Sequence, residues 1–286
     1  MKRISSRKPG WFVSLLVLIQ SFTIVSANAE KIKVLTFNTW GVPLEVWDTW
    51  RYAAAMRAIE KLNPDFVVLD EVFSLKGKKA YQSYLYPYMA NGPRMFPKLS
   101  SGGTRILSKY PFDSVASLVY QHCASSDCLS RKGAAIVTVT LPSGKILNLA
   151  GTHLDSGGTD DLRTDQLRQL KIFTDYYADP KAPLLIAGDF NCGPKSSTYQ
   201  YAREQMQLSD SWTETHPATD LGLTYDSYQN HYAHDYEIKT HDLMIVDRID
   251  FMFHQGAIKP VSTEVIFNTE DSLYSDHYGI LAEFEI

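Results

Sequence analysis

The chain has 286 residues, 44% of them hydrophobic, which is enough for a sizeable core, and 28 Lys+Arg against 32 Asp+Glu give a net charge of −4. Proteins that grip nucleic acid usually carry a basic footprint, so this balance argues against a polyanionic partner. The three cysteines form no Cys/His set with structural-site spacing, which argues against a zinc scaffold.

The chain opens with Lys2, Arg3, Arg7 and Lys8, continues in an apolar run from Trp11 to Val25, and reaches Ser26-Ala27-Asn28-Ala29. That is the layout of a secretory signal peptide cut after Ala29, and the run falls short of the roughly 20 residues a membrane span needs. Residues 1–29 are therefore expected to be removed. Residues 30–286 would fold as one unit, secreted or periplasmic and monomeric. An uncleaved anchor is the alternative. Without the four early basic residues the remainder is more acidic still.

A β-type run at Ile32–Phe37 ends in Asn38. Trp47–Leu62 spaces its apolar residues as a helix does and stops at Asn63-Pro64. Phe66–Val72 is a second apolar strand, carrying Asp70 and Glu71 near its end, and Thr104–Ser108 is a third. Cys123 and Cys128 share one loop, and export would permit a disulfide there; two reduced thiols are the alternative. Cys192 is left over and expected to be buried. Ala134–Leu141 and Ile146–Leu154, joined by Pro142-Ser143-Gly144-Lys145, read as a hairpin. The second arm carries Gly151-Thr152-His153. Asp160–Tyr177 opens with two acidic residues, as a helix N-terminus favours, and spaces Leu162, Leu167, Leu170 and Phe173 roughly along one face. Leu184–Phe190 is a strand that runs into Asp189 and Asn191. Thr213–Asp247 is rich in Tyr, His, Asp and Thr, without clear periodicity, and is expected to be an irregular wall of a cleft. Arg248–Phe253 and Ile280–Ile286 are the last strands, with Ser275-Asp276-His277 before the second. Strands mixed with helices in this order predict an α/β domain whose sheets are covered by helices.

The polar residues fall at strand ends, where a rigid frame can present them. Asn, Glu, His, Asp-x-Asn and Asp-His offer hard oxygens and imidazoles without thiolates, a donor set that suits Mg²⁺. Residues two apart in an extended segment share a face, so Asp189 and Asn191 would reach one cleft. Asp250 could accept a hydrogen bond from a cleft histidine, or merely pair with Arg248.

Asn38, Asp70-Glu71-Val72-Phe73, Gly151-Thr152-His153-Leu154, Gly188-Asp189-Phe190-Asn191, Arg248-Ile249-Asp250-Phe251 and Ser275-Asp276-His277 resemble, in order, the motifs of the endonuclease/exonuclease/phosphatase superfamily. Within it the chain looks most like the neutral sphingomyelinases. Asp70-Glu71-Val72-Phe73 resembles their acidic-Glu-Val-Phe motif. Asp127-Cys128-Leu129-Ser130-Arg131-Lys132-Gly133 resembles their D-x-x-S-x-K-G loop, and Gly102-Gly103-Thr104-Arg105-Ile106-Leu107-Ser108-Lys109-Tyr110-Pro111 resembles their glycine-led strand.

The resemblance implies a four-layer α-β-β-α sandwich of two packed mixed sheets flanked by helices. It implies Mg²⁺, with Mn²⁺ or Co²⁺ as substitutes and one or two ions, held by Glu71 with Asn38 and Asp276. His277 would be the general base, oriented by Asp250. Asp189 and Asn191 would orient water and phosphate, and His153 and Lys132 would donate to phosphoryl oxygens. Asp127, Ser130 and Lys132 would touch the substrate, a phospholipid at a membrane surface rather than a nucleic acid. Secreted bacterial members carry an aromatic hairpin before the final Asp-His. Here that stretch has only Phe267 and Tyr274, so the hairpin is expected to be absent, and Trp40, Trp47 and Trp50 are candidates for lipid contact or for the core. A secreted nuclease, a phosphoinositide phosphatase and an inactive binding module are the competing readings.

Overall fold

The structure, a computed structural model, describes residues 29–41, 50–94, 100–240 and 243–286. The signal-peptide reading and Trp47 lie outside these residues, Ala29 apart. Among the described residues no helix is long and apolar enough to cross a membrane.

Two six-stranded mixed sheets carry the chain. The first contains β1 (Lys31–Asn38), β2 (Phe66–Asp70), β3 (Tyr88–Asn91), β4 (Arg105–Ser108), β13 (Lys259–Ile266) and β14 (Gly279–Glu285), in the order β13-β14-β1-β2-β4-β3. The second contains β5 (Ser114–Val119), β6 (Gly133–Thr140), β7 (Ile146–His153), β8 (Leu184–Asp189), β9 (Ser209–Asp210) and β12 (Asp250–Gln255), in the order β5-β6-β7-β8-β12-β9. A two-stranded ladder, β10 (Tyr225–Asp226) with β11 (Val246–Asp247), stands apart. The helices are α1 (Trp50–Leu62), α2 (Leu75–Ala80), α3 (Asp160–Tyr177), α4 (Ser197–Glu204), α5 (Ser211–Thr215) and α6 (His231–Thr240).

The layers follow from side-chain alternation along strands buried on both faces. Val34, Phe66, Val68, Leu147, Leu149, Leu185 and Ala187 point between the sheets. Their neighbours Leu35, Val67 and Leu69 point outward onto Tyr52, Ala55, Met56 and Ile59 of α1. On the other side Ala134, Ile136, Ala150 and Ile186 meet Leu167, Leu170 and Phe173 of α3 and Ala202 of α4. Four layers result, each buried Leu or Ile contributing about 1.5–3 kcal/mol. α1 ends on Asn63, which adopts φ 53 before Pro64, a left-handed cap that proline then prevents from continuing. Thr159 caps α3 by accepting from the Leu162 amide at 3.4 Å.

Each sheet holds one parallel pair joined by a helix. β1 and β2 end together, Asn38 opposite Asp70, and β7 and β8 end together, His153 opposite Asp189. Ligands of α/β folds gather at such C-terminal strand ends.

The segment expected to be irregular is partly ordered: Thr213–Asp247 contains the end of α5, both strands of the small ladder and α6. α6 buries only Ala233 and Glu237, so it has no apolar stripe for periodicity to reveal. The strand expected from Arg248 begins at Asp250. β3, β5 and β13 escaped the sequence reading because each is at or near a sheet edge, with many exposed or polar positions. β13 and β14 pair antiparallel, and the connection between them carries a short 3₁₀ turn at Glu270–Ser272 and no named strand of its own.

Candidate active site

The strand ends converge on one cleft of about 1370 Å³, whose lining includes Glu71, Asp127, Ser130, Asp189, Asn191, Asp276 and His277. β1 presents Asn38, whose Nδ2 donates to Asp189 Oδ2 at 2.9 Å and lies 3.4 Å from Glu71 Oε1. Glu71 follows β2 with φ 58, a left-handed conformation that ends the strand and turns the carboxylate into the cleft. β7 presents His153, with Nε2 3.5 Å from Asp189 Oδ2 and 3.8 Å from Glu71 Oε1. Both ring nitrogens of His153 are buried without a hydrogen-bond partner among the described residues. Such a group costs about 1–3 kcal/mol unless something else satisfies it.

β8 reaches the cleft through Gly188, which has φ 144; an added Cβ would meet the Thr152 carbonyl at 1.9 Å. Only glycine fits there, and Asp189 comes next. The extended-strand argument for Asp189 and Asn191 is corrected: Asn191 lies past the strand with φ 49, and its amide donates to Asp189 Oδ1 at 2.8 Å. Both residues still line the cleft, because a turn rather than a pleat brings them together. The Asn191 side chain donates to the Leu154 carbonyl at 3.0 Å.

β12 starts with Asp250, whose Oδ2 lies 2.9 Å from His277 Nδ1. The alternative pairing with Arg248 does not occur; Arg248 Nη1 reaches both oxygens of Asp210 at 3.0 and 2.9 Å. The contact to Asp250 leaves His277 Nε2 facing Asp189 Oδ2 at 3.7 Å. Ser275 donates to Asp276 Oδ1 at 3.0 Å.

Lys132 is buried on an ion pair with Asp127 at 2.7 Å and donates to the Leu154 carbonyl at 3.2 Å. Cys123 and Cys128 are disulfide-bonded, closing the lip that carries Asp127 and Ser130, and Cys192 is free and buried. Trp40 packs on Tyr232 with ring centroids 5.6 Å apart, while Trp50 is exposed.

Sequence reasoning missed the supports behind these groups. Asp70 accepts from Thr104 Oγ1 at 2.7 Å and from the Asp189 amide at 3.1 Å, tying the two sheets together beneath the cleft. Thr224 Oγ1 accepts from the amides of Ile249 and Asp250 at 3.0 and 3.1 Å. Tyr225 sets its ring edge-on to His277, centroids 5.1 Å apart, and donates to the buried Glu237 at 2.8 Å. Thr224, Tyr225 and Glu237 sit in the aperiodic segment, so only its Tyr- and Asp-rich composition could have pointed to them.

Electrostatics separate the groups. Burial, then the neighbouring charge of Asp276, pushes the Glu71 carboxyl up to about 7. Burial pushes Asp189 up to about 6. Asp276 is raised by burial as well. Burial and then the Lys132 charge hold His153 well below its usual value, so it is neutral. Burial also pulls on His277, but Asp250, Asp189 and Asp276 together outweigh it and hold the imidazole well above its usual value. Crowded carboxylates that resist ionisation are what a divalent cation stabilises. The hard oxygens of Glu71 and Asp276 suit such a cation, with Asn38 beside them turning Oδ1 to the Trp40 amide and Nδ2 to Asp189, and the buried trio Asp189, Asp250 and His277 is a second donor group of suitable spacing. In that trio the short Asp250–His277 contact favours a proton over a metal between them.

The model of the Endonuclease/Exonuclease/phosphatase family matches residues 35–277. An inositol phosphosphingolipids phospholipase C from Schizosaccharomyces pombe is 25% identical, covering 88% of this chain and 68% of its own. A putative neutral sphingomyelinase from Caenorhabditis elegans is 23% identical, covering 93% and 70%. Among solved structures, a double mutant of beta toxin from Staphylococcus aureus with bound magnesium ions superposes with a TM-score of 0.74 at 19% identity, covering 88% of this chain and 99% of that one. D. rerio TDP2 complexed with a single-strand DNA product superposes with a TM-score of 0.70 at 19% identity, covering 90% and 99%. At such identities the two structures establish the fold.

Proposed function

The chain belongs to the endonuclease/exonuclease/phosphatase family and is a phosphodiester hydrolase, and from that premise we propose that it cleaves a phospholipid headgroup ester, sphingomyelin to ceramide and phosphocholine, with Mg²⁺. One observation carries this reading. Glu71 and the Asp250–His277 pair flank Asp189 and His153 in a single cleft. The Asp127–Gly133 loop, the sphingolipid-directed names of the two relatives and the acidic charge of the chain support a lipid over a nucleic acid.

Glu71 and Asp276 would hold the cation, with Asn38 beside them. A Mg²⁺ ion bound there would supply charge neutralisation for the phosphate and the departing oxygen. The chain's own residues do the rest. With a cation offsetting the carboxylate charges that raise it, His277 Nε2 would be free to take the proton of the attacking water, while its Nδ1–H stays hydrogen-bonded to Asp250 and fixes the tautomer. Asp189 and Asn191 orient that water and the phosphate. Neutral His153 offers its unpartnered N–H to a non-bridging oxygen as charge builds there. Lys132, although paired, exerts its field on Glu71 and Asp189. The phosphorus–oxygen bond to ceramide breaks, the ceramide oxygen takes a proton from solvent in the cleft, and His277 returns its own to solvent, so one water is consumed in all.

Four apolar side chains both line the cleft and stand exposed: Leu129 on one lip, and Tyr236, Leu243 and Ile245 in the segment opposite. They are our candidates for lipid contact in place of a hairpin. Export is part of the same reading and rests on residues 1–29, with the Cys123–Cys128 disulfide consistent with it.

The test measures phosphocholine release from sphingomyelin beside turnover of phosphatidylcholine, a phosphoinositide, an inositol phosphosphingolipid and plasmid DNA. Mg²⁺-dependent release from sphingomyelin, absent in folded His277→Ala, is expected. DNA nicking without lipid turnover would replace this reading with a nuclease. Silence on every substrate, with metal bound, would leave a binding module.

A further inference from the structure

We propose that Arg51 is a positioning residue that fixes the spacing between the cation-binding and water-activating halves of the cleft; the proposal rests on the roles given above to Asn38, Asp276 and His277. Arg51 is the second residue of α1 and is fully buried. Nη1 donates to the Thr39 carbonyl at 2.6 Å and to the Tyr274 carbonyl at 3.0 Å. Nη2 donates to the Trp40 carbonyl and lies 3.4 Å from the Tyr52 hydroxyl. The guanidinium carbon sits 5.0 Å from the Trp40 ring centre and 4.5 Å from that of Tyr52.

Thr39 and Trp40 directly follow Asn38, and Tyr274 directly precedes Ser275-Asp276-His277. One planar fork therefore joins two loops more than 200 positions apart in sequence. On the first loop Trp40 has φ 47, and its amide donates to Asn38 Oδ1 at 3.0 Å. That bond sets the Asn38 amide so that Nδ2 meets Asp189. Holding the Trp40 carbonyl thus holds Asn38. On the second loop, Asn230 Nδ2 donates to the Ser275 and Asp276 carbonyls at 2.9 and 3.0 Å. With Tyr274 pinned by Arg51, the chain entering His277 is fixed at three successive carbonyls.

A lysine would not serve. Its single ammonium cannot span three carbonyls in a plane or stack between rings, whereas guanidinium does both. If Arg51 only packed α1 against its sheet, Met would fill the place, and a buried cation would be the more costly choice. What distinguishes the two roles is whether turnover falls apart from stability.

The full-length protein, Arg51→Lys and Arg51→Ala are compared for turnover of sphingomyelin in detergent micelles, for Tm and for Mg²⁺ binding by calorimetry. Arg51→Lys is expected to stay folded, with kcat down about 100-fold and KM within about twofold, as a small misplacement of reacting groups produces. Its Mg²⁺ affinity is expected to fall about tenfold, as for other supports behind metal ligands. Guanidinium added at low millimolar concentration should restore part of the kcat of Arg51→Ala. Should the wild type act on a different diester, kcat is read on that diester. Should it act on none, the calorimetric comparison decides. Wild-type kcat or Mg²⁺ affinity in Arg51→Lys, or guanidinium raising Tm without raising kcat, would overturn the proposal. Retained turnover in His277→Ala would instead remove the reading on which it rests.

Discussion

Trp40, Glu71 and Asn191 adopt left-handed backbone conformations one or two positions beyond the ends of β1, β2 and β8. For residues other than glycine this costs about 1–2 kcal/mol each, less for Asn, and is tolerated where the surroundings over-determine it. Here hydrogen bonds at Asn38 and Asp189 do so, and the result aims side chains at one point. Asp70 lies just below, its two oxygens held by Thr104 and the Asp189 amide, with burial keeping its carboxyl well above the usual range. Asp70→Asn, able to accept from the amide and donate to Thr104, is expected to unfold at a urea concentration close to wild type or higher. Asp70→Ala, leaving two buried donors unmet, is expected to lose about 1–3 kcal/mol. Cys192 gives a prediction in pH. Burial pushes its thiol up to about 12 from 9.0, so the folded state keeps a proton that the unfolded state releases first. Its contribution is complete below pH 9 and is lost as pH rises toward 12, at up to about 1.4 kcal/mol per unit. The stability gap between wild type and Cys192→Ala should narrow across that window in urea titrations and be constant below it. At this scale the sequence exposed the groups that converge in the cleft, since Glu71, His153 and Asp189 each close an apolar run and His277 precedes one. It hid their supports. Nothing in the chain order brings Thr224 to Asp250 or Asn230 to Asp276, because those contacts exist only after folding.

α3 was legible to its ends, Asp160 and Tyr177, because acidic residues open it and Leu167, Leu170 and Phe173 recur along one face. α6 was not, because tertiary contacts rather than a repeating stripe hold it. The difference makes a prediction. Leu170→Ala should lose about 2–5 kcal/mol in denaturant unfolding, as a cavity beneath a helix that covers a whole sheet face. The Cys123–Cys128 disulfide closes a loop with a sequence separation of only 5, so its entropic contribution is modest. Cys128→Ser should lower stability by about 2 kcal/mol or less, read in the same experiment, while the loop keeps Lys132 on Asp127.

Across the whole molecule, two sheets meet so that the ends of their parallel pairs face each other, and neither sheet alone holds the site. The sequence indicated the layered α/β class and the resemblance named the sandwich, but the meeting of the two strand-end sets needed coordinates. The cleft opens beside exposed Leu129, Leu243 and Ile245, unlike the interior around Asp189. Leu243→Asp is expected to lower turnover on lipid vesicles several-fold more than on detergent-dispersed substrate; equal losses on both would remove this lip from the lipid-contact reading. The division of labour across the cleft is tested most directly by titrating Mg²⁺ against turnover in Glu71→Gln and His277→Ala, with metal binding followed by calorimetry. Glu71→Gln is expected to need at least about tenfold more Mg²⁺, whereas His277→Ala is expected to bind Mg²⁺ like wild type and turn over nothing. Wild-type turnover in His277→Ala, or unchanged Mg²⁺ demand in Glu71→Gln, would contradict that division.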